Sequence, residues 1–313
     1  MKEELIVSGR MNYKVDPNLH IWGWEIPLYL FLGGLVAGIL FFAALYYIRG
    51  KENDYQAAVK WAPMLTPFFL VIGLGALFLD LHHKPYFWRL YTAIKLQSPM
   101  SWGAWTLMIV TPLSVIWSAT YIKELFPKWD WKFGWVEDLA AYFTKNRKSI
   151  AWIMIIYSTI LGIYTGILLS AFNARPLWNT SILGPLFLVS GLSAGAALIM
   201  MISKNPKERK RFSQLDLMLI AVELVIIIHM FMGFRASTEV QIEAAGLFLG
   251  GPYTLPFWIF VVFLGMVLPA FLEFWELKGN HIPAYIPAVL ILFGSIMLRF
   301  IIVYAGQASR YLY

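Results

Sequence analysis

The sequence predicts an all-α polytopic membrane protein with eight transmembrane helices in two four-helix bundles. Hydrophobic residues make up 59% of the 313-residue chain and charged residues 14%, against about 45–50% and about 25% in a typical soluble domain. The apolar residues fall in long runs, where a water-soluble helix would show an amphipathic period. Turn and charge clusters then punctuate those runs at a spacing that fits a hydrocarbon core needing roughly 20 residues per crossing.

The first segment is Ile26–Ile48, closed by the cluster RGKEND. The second, Trp61–Leu81, runs into HHKPYFWR, and the third, Trp102–Tyr121, into KELFPK. The fourth, Ile150–Phe172, opens after FTKNRK, and the fifth, Ile182–Ile202, ends at SKNPKERKR. The sixth is Leu215–Phe234, the seventh Leu255–Phe274 ends at ELKGNH, and the eighth is Ile282–Tyr304. Such clusters are what loop ends at a membrane surface look like. The predicted organisation is an N-terminal segment at 1–25, a first four-helix bundle at 26–172 and a second at 173–313.

An even number of spans puts both termini on one side, and lysine and arginine counts choose the side. The N-terminal face carries nine, namely Lys2, Arg10, Lys14, Lys84, Arg89, Lys95, Arg175, Arg235 and Arg310. The opposite face carries fifteen, concentrated in Lys123–Lys148 and Lys204–Arg211. By the positive-inside rule the N-terminal face is periplasmic and the chain sits in the cytoplasmic (inner) membrane of a prokaryote. The formal charge of +7 is thereby read as topology signals facing anionic lipid, and nucleic acid is excluded as a partner.

A faint internal repeat sets LFLGGLVAG (Leu30–Gly38) against FLVSGLSAG (Phe187–Gly195), with Gly34, Leu35, Ala37 and Gly38 matching Gly191, Leu192, Ala194 and Gly195. Small residues at this spacing let helices approach closely. Repeats four spans apart share orientation, which suggests the two side-by-side bundles.

The chain has no cysteine, which excludes disulfides, thiolate metal sites, cysteine nucleophiles and a self-ligated iron–sulfur cluster. Heme between histidines on different spans fails as well, because His20, His82, His83 and His281 fall at span ends or outside and only His229 lies within a span. Any iron–sulfur cluster or heme must belong to a partner.

Ionisable residues inside spans are expensive and point to function. Those here are Asp80, Glu223, His229 and Arg299. They read either as a proton relay in the second bundle or as a structural ion pair between the sixth and eighth segments; Asp80 reads either as a helix end or as a proton acceptor. In DPNLHIWGWEIPLYLFLGG, Asn18, His20, Trp22 and Trp24 stand just before the first segment. An amide, an imidazole and aromatic rings suit a quinone headgroup, though His–Trp clusters also serve as interfacial anchors.

Four stretches in order, PNLHIWGWEIPLYLFLGGLVAG, FLDLHHKPYFWRLY followed by SPMSWGAW, YTGILLSAFNARPLWNTSILGPLFLVSGLSAG, and LRFIIVYAGQ, resemble the membrane subunits of the polysulfide reductase, or NrfD, family. The resemblance covers both halves of the chain. It implies a respiratory-chain oxidoreductase subunit, not catalytic alone, that reacts with quinone or menaquinone at the periplasmic surface of the first bundle. It also implies a docked ferredoxin-like iron–sulfur subunit, a molybdopterin catalytic subunit beyond it, and coupling to proton translocation. The family's quinone-contacting amide, histidine and tyrosine fall on Asn18, His20 and Tyr164. His20 and Asp80 are the expected proton-exchanging pair, and Asp80, Glu223 and Arg299 match in type the buried charges of the family's proton route, to which His229 is added as an ionisable residue within a span. A secondary transporter and a passive membrane anchor remain the competing classes.

The charge distribution generates a first test. Reporter fusions after Tyr313 should score periplasmic and fusions within Lys204–Arg211 cytoplasmic; the reverse pattern would invert every assignment of a site to a side.

Overall fold

The computed structural model describes residues 22–130 and 133–309. Eight helices among these are long and apolar enough to cross a membrane: span 1 (Glu25–Ile48), span 2 (Ala57–Asp80), span 3 (Pro99–Leu125), span 4 (Arg147–Ser170), span 5 (Leu183–Ile202), span 6 (Pro206–Arg235), span 7 (Pro256–Leu277) and span 8 (Tyr285–Ala308). Shorter helices lie in the connections, among them Arg89–Thr92, Gly134–Lys145 and Glu239–Gly246. The described residues contain no strand.

The sequence boundaries hold to within a few residues, with one large difference. Span 6 starts nine residues before the expected Leu215, because PKERKRFSQ is helical. Its charges disqualify it as hydrocarbon-spanning but not as helix: Asn205 caps the start by accepting from the Lys207 amide at 3.0 Å, and Pro206 occupies the first turn, where its missing N–H costs nothing.

Spans 1 and 5 form the centre. A Cβ added to Gly38 would fall 2.2 Å from the Gly191 carbonyl oxygen, and one on Gly195 would fall 2.7 Å from the Gly38 carbonyl carbon. The two backbones therefore touch, in parallel, along the stripe that the sequence repeat marked. Around this seam span 1 packs on spans 2, 4 and 8, and span 5 on spans 4, 6 and 8. Spans 7 and 8 meet through a second glycine contact, Gly265 against Gly294.

Proline breaks the ladder at the start of span 2, and side chains repair it. Span 2 opens with a π-helical turn, Ala57–Trp61, and a 3-10 turn, Ala62–Leu65, before becoming α-helical at Thr66. Pro63 cannot donate to the Val59 carbonyl four residues back, and the Trp117 indole of span 3 donates there instead at 3.0 Å. Pro67 has no amide to offer the Pro63 carbonyl, which accepts instead from the Thr66 amide one residue earlier and from the hydroxyls of Thr66 and Ser118 at 2.7 and 3.1 Å. Backbone freed at membrane depth must find such partners. The first amides of the span are met by Glu208 of span 6, whose carboxylate accepts from Ala57 at 3.3 Å, from Ala58 at 2.9 Å and from the Ser203 hydroxyl at 2.6 Å.

The Lys-rich face of spans 2–4 is tied by charge. Glu124 bridges Lys60 at 2.9 Å and Arg147 at 3.0 Å. The Arg147 guanidinium also donates to the Thr120 carbonyl and lies 3.8 Å from the Tyr121 ring centroid.

The seam predicts a contrast between glycines. Gly38→Leu forces backbones apart and should destabilise the protein by about 1–3 kcal/mol or more, whereas Gly75→Leu, with nothing within 4 Å of its Cβ position, should be silent. Thermal unfolding in detergent reads the difference; equal melting of the two variants would deny the close contact.

Candidate functional site

Two polar constellations lie within the apolar frame. The first is at the N-terminal face of spans 1–4. Tyr164, on span 4, is buried, and its ring occupies the space a side chain at residue 103 would fill: a Cβ on Gly103 would sit 1.8 Å from the phenol carbon. Span 3 carries glycine there so that the ring can lie across it. Tyr29 of span 1 lies within electrostatic reach of Tyr164 and of Tyr91 in the connection between spans 2 and 3, and burial pushes the Tyr91 phenol above its usual pKa. Beside Tyr164 a cavity of about 350 Å³ opens between spans 3 and 4, with Leu96, Trp102, Thr106, Ile160 and Ile163 among its walls. The Trp102 indole donates to the Leu96 carbonyl at 2.8 Å and shapes its mouth.

Asp80 closes span 2 at the same face, and the ionisable neighbours that act on it electrostatically are Glu25 and His82. Tyr164 and Asp80 thus reach one end of one group of spans without a direct hydrogen bond between them. Asn18 and His20 lie outside the described residues. Trp22 leads into span 1 and is fixed by Gln307 of span 8, which accepts from its amide at 2.9 Å and donates to its carbonyl at 3.0 Å.

The second constellation runs through spans 5–8. Arg299 of span 8 is fully buried and is held entirely by neutral groups: it donates to the Ser190 hydroxyl at 2.5 Å, the Ser295 hydroxyl at 2.7 Å, the Ser295 carbonyl at 3.0 Å and the Phe187 carbonyl at 3.1 Å. Its guanidinium reaches to 3.2 Å from the Cβ position of Gly34, so the glycine of the seam also makes its pocket. Glu223 of span 6 lies in the field of Arg299 and beside Ser190; among the described residues the two close no ion pair. Seven residues earlier on span 6, two turns away on the same face, the buried Asp216 accepts from Ser193 at 2.6 Å. Glu273 of span 7 is buried and interacts with both Asp216 and Glu276.

What unites this row is unspent hydrogen-bonding capacity. One oxygen each of Asp216, Glu223 and Glu276 and both oxygens of Glu273 are buried without a partner. Buried polar atoms are nearly always satisfied, so these positions call for water or a proton. A carboxylate row with open valences, reaching from the Lys-rich end of span 7 to Arg299, has the chemistry of a proton relay.

Beyond Arg299, toward the N-terminal face, the polar row gives way to aromatics. Trp22 packs on Phe172 and Trp178 at 5.0 and 5.2 Å between centroids, Trp178 donates to the Ile302 carbonyl at 2.9 Å, and Arg175 donates to the Gln307 carbonyl at 2.8 Å.

Of the expected buried charges, Glu223 and Arg299 come together and His229 does not. Six residues separate His229 from Glu223, which turns it about 120° around the helix. It is exposed, with Nδ1 2.8 Å from the Val225 carbonyl of its own helix. Asp216 and Glu273 escape a reading of the sequence because each falls at the margin of its predicted segment, where a carboxylate reads as a helix end. The two-turn spacing of Asp216 and Glu223 was the available signal.

A family model described as polysulphide reductase, NrfD, matches residues 12–309. The chain is 30% identical to protein NrfD of Escherichia coli over 92% of this chain and 96% of that protein. It is 31% identical to a polysulfide reductase chain of Wolinella succinogenes over 93% and 95%, and 23% identical to a selenate reductase subunit of Mesobacillus selenatarsenatis over 90% and 73%.

The coupling within the buried row is open to measurement. Arg299→Leu leaves Glu223 without its nearby cation and should cost on the order of 3 kcal/mol, and adding Glu223→Gln should restore part of that loss. Unfolding of the single and double variants in detergent decides it; strictly additive losses would mean that the two groups do not interact.

Proposed function

The chain belongs to the NrfD family of polysulphide reductase membrane proteins, and on that premise we propose that it is the quinone-reactive membrane subunit of a multisubunit respiratory oxidoreductase. The observation that carries this reading is the apolar cavity between spans 3 and 4 that the buried Tyr164 helps to line, at one face of spans 1–4. A quinone needs a greasy slot for its isoprenoid tail and a few convergent hydrogen bonds for its head. The walls between spans 3 and 4 supply the slot, and Tyr164 supplies one donor. Asn18 and His20, a few residues ahead of Trp22, are the proposed further contacts, with residues 26–172 forming the quinone-binding bundle and residues 173–313 the proton-conducting one.

In this mechanism Asn18 and Tyr164 orient the two carbonyls of quinone or menaquinone, His20 exchanges a proton with one of them, and Asp80 receives or supplies it. Two electrons pass between quinone and a partner. With no cysteine in the chain and, among the described residues, no group of His, Asp and Glu placed to hold a metal, the quinone must meet the partner's cofactor close to the surface. The connection between spans 2 and 3 is suited to docking a ferredoxin-like iron–sulfur subunit. Tyr86, Phe87 and Trp88 are exposed there, and Arg89 lies over the Tyr86 ring at 4.8 Å. A molybdopterin subunit would complete the complex. The docking face would then be periplasmic, in keeping with the charge distribution.

Protons would travel along Glu273, Asp216, Glu223 and Arg299. His229 is left out of this route because its ring stands on another face of span 6. The aromatic cluster of Trp22, Phe172 and Trp178 favours a route that turns at Arg299 across Gly34 toward spans 1–4 over one that continues straight to the N-terminal face.

Quinone-linked turnover of the assembled complex tests the proposal, with an artificial electron carrier on the partner subunits as control. Asn18→Ala should weaken quinone affinity by the value of one hydrogen bond, about 0.5–1.5 kcal/mol. His20→Ala and Asp80→Asn should slow turnover by ~10²–10⁴. Gly103→Ala, which displaces the Tyr164 ring, should lower quinone-linked activity and leave the control rate intact. Unchanged quinone-linked turnover in all four variants would favour a passive anchor.

A further inference from the structure

The helix Gly134–Lys145 joins spans 3 and 4 on the Lys-rich face and belongs to neither polar constellation. Placed at about 100° per residue, its side chains divide into three arcs. Val136, Ala140 and Phe143 lie on one arc and are half-buried, facing the spans on which the helix packs. Glu137, Asp138, Ala141, Thr144 and Lys145 occupy the far side. Between them Trp135, Leu139 and Tyr142 fall within about 60° of one another and are 67%, 45% and 63% exposed. Phe133, just ahead of the helix, is 61% exposed.

An edge of Trp, Leu and Tyr held in water would be costly, and this edge is held in one orientation. Lys123 of span 3 pairs with Glu137, and Arg147, immediately beyond the helix, is buried in its contacts with Glu124 and Thr120. The helix therefore cannot roll to hide the edge against the protein. Its C-terminal end passes through Asn146 straight into span 4 at Arg147, and its start follows the end of span 3 at Leu125 after eight residues, which keeps it close to the boundary between hydrocarbon and water. Exposed Phe126 at the end of span 3 and Trp152 near the start of span 4 continue the apolar surface on either side.

We propose that Gly134–Lys145 is an interfacial helix that lies in the leaflet on the Lys-rich face, with Trp135, Leu139 and Tyr142 in the acyl–headgroup boundary and Lys128, Lys145 and Lys148 holding anionic phospholipid headgroups. Amphipathic helices with an aromatic apolar edge partition in this way. All three lysines are exposed, and among the described residues none of them closes an ion pair with a carboxylate, so their charge is available to lipid phosphate.

The absence of cysteine makes the test direct. In the full chain reconstituted in nanodiscs of phosphatidylcholine with phosphatidylglycerol, Tyr142→Cys and Ala141→Cys place a single nitroxide on the apolar edge of the helix or on its polar side about 100° away. Paramagnetic relaxation should show the label at 142 favouring dissolved oxygen over a water-soluble nickel chelate, and the label at 141 the reverse. Equal access of the chelate to both labels would overturn the proposal in favour of a site awaiting a protein partner, and a label at 142 shielded from both reagents would overturn it in favour of a second copy of the chain. For the headgroup contacts, Lys145→Gln/Lys148→Gln should reduce co-purifying phosphatidylglycerol by roughly fivefold per lysine without altering retained phosphatidylcholine. Unchanged phosphatidylglycerol retention would overturn the headgroup assignment.

Discussion

The backbone contact between spans 1 and 5 is the constraint on which the rest of the molecule depends. Between lipid-bathed helices there is no hydrophobic effect to gather them, and close packing at small residues takes its place. Gly34, Gly38, Gly191 and Gly195 bring the two central helices to van der Waals contact of their main chains. That approach also sets chemistry, because Gly34 is the wall against which the Arg299 guanidinium rests. A larger residue in the seam would separate the helices and evict the arginine from the Ser190–Ser295 pocket in the same movement.

The two ends of spans 1–4 are built differently. At the Lys-rich face Glu124, Lys60, Arg147 and Tyr121 lock spans 2, 3 and 4 together through ions and a cation–π contact. At the N-terminal face Tyr29 lies within electrostatic reach of both Tyr91 and Tyr164, with no ion pair among the described residues to tie them, and Tyr164 lines a cavity between spans 3 and 4. One end of these spans is thus held by ion pairs and the other by packing around a pre-formed apolar cavity.

Much of this was legible in the residues, because hydrocarbon imposes a length and a composition on anything that crosses it. The eight segments, their order and the glycine repeat all surfaced directly, and the repeat found its meaning in the seam. What the residues left unread has physical reasons. The basic start of span 6 is helix beyond the membrane, which hydropathy cannot detect. Asp216 and Glu273 are set inside the bundle by tertiary packing, yet by position they look like helix ends. His229, inside its span by count, faces outward by rotation. Asn18 and His20, singled out by composition and resemblance, lie outside the described residues.

The carboxylate of Glu208 supplies the missing partner for the first two amides of span 2, although about 150 residues of chain separate them. During synthesis span 2 therefore leaves the ribosome with its opening turn incomplete, and stays so until span 6 begins to emerge. Until then water at the membrane surface has to serve those amides, so this tie between the two halves of the chain closes only once both have been made.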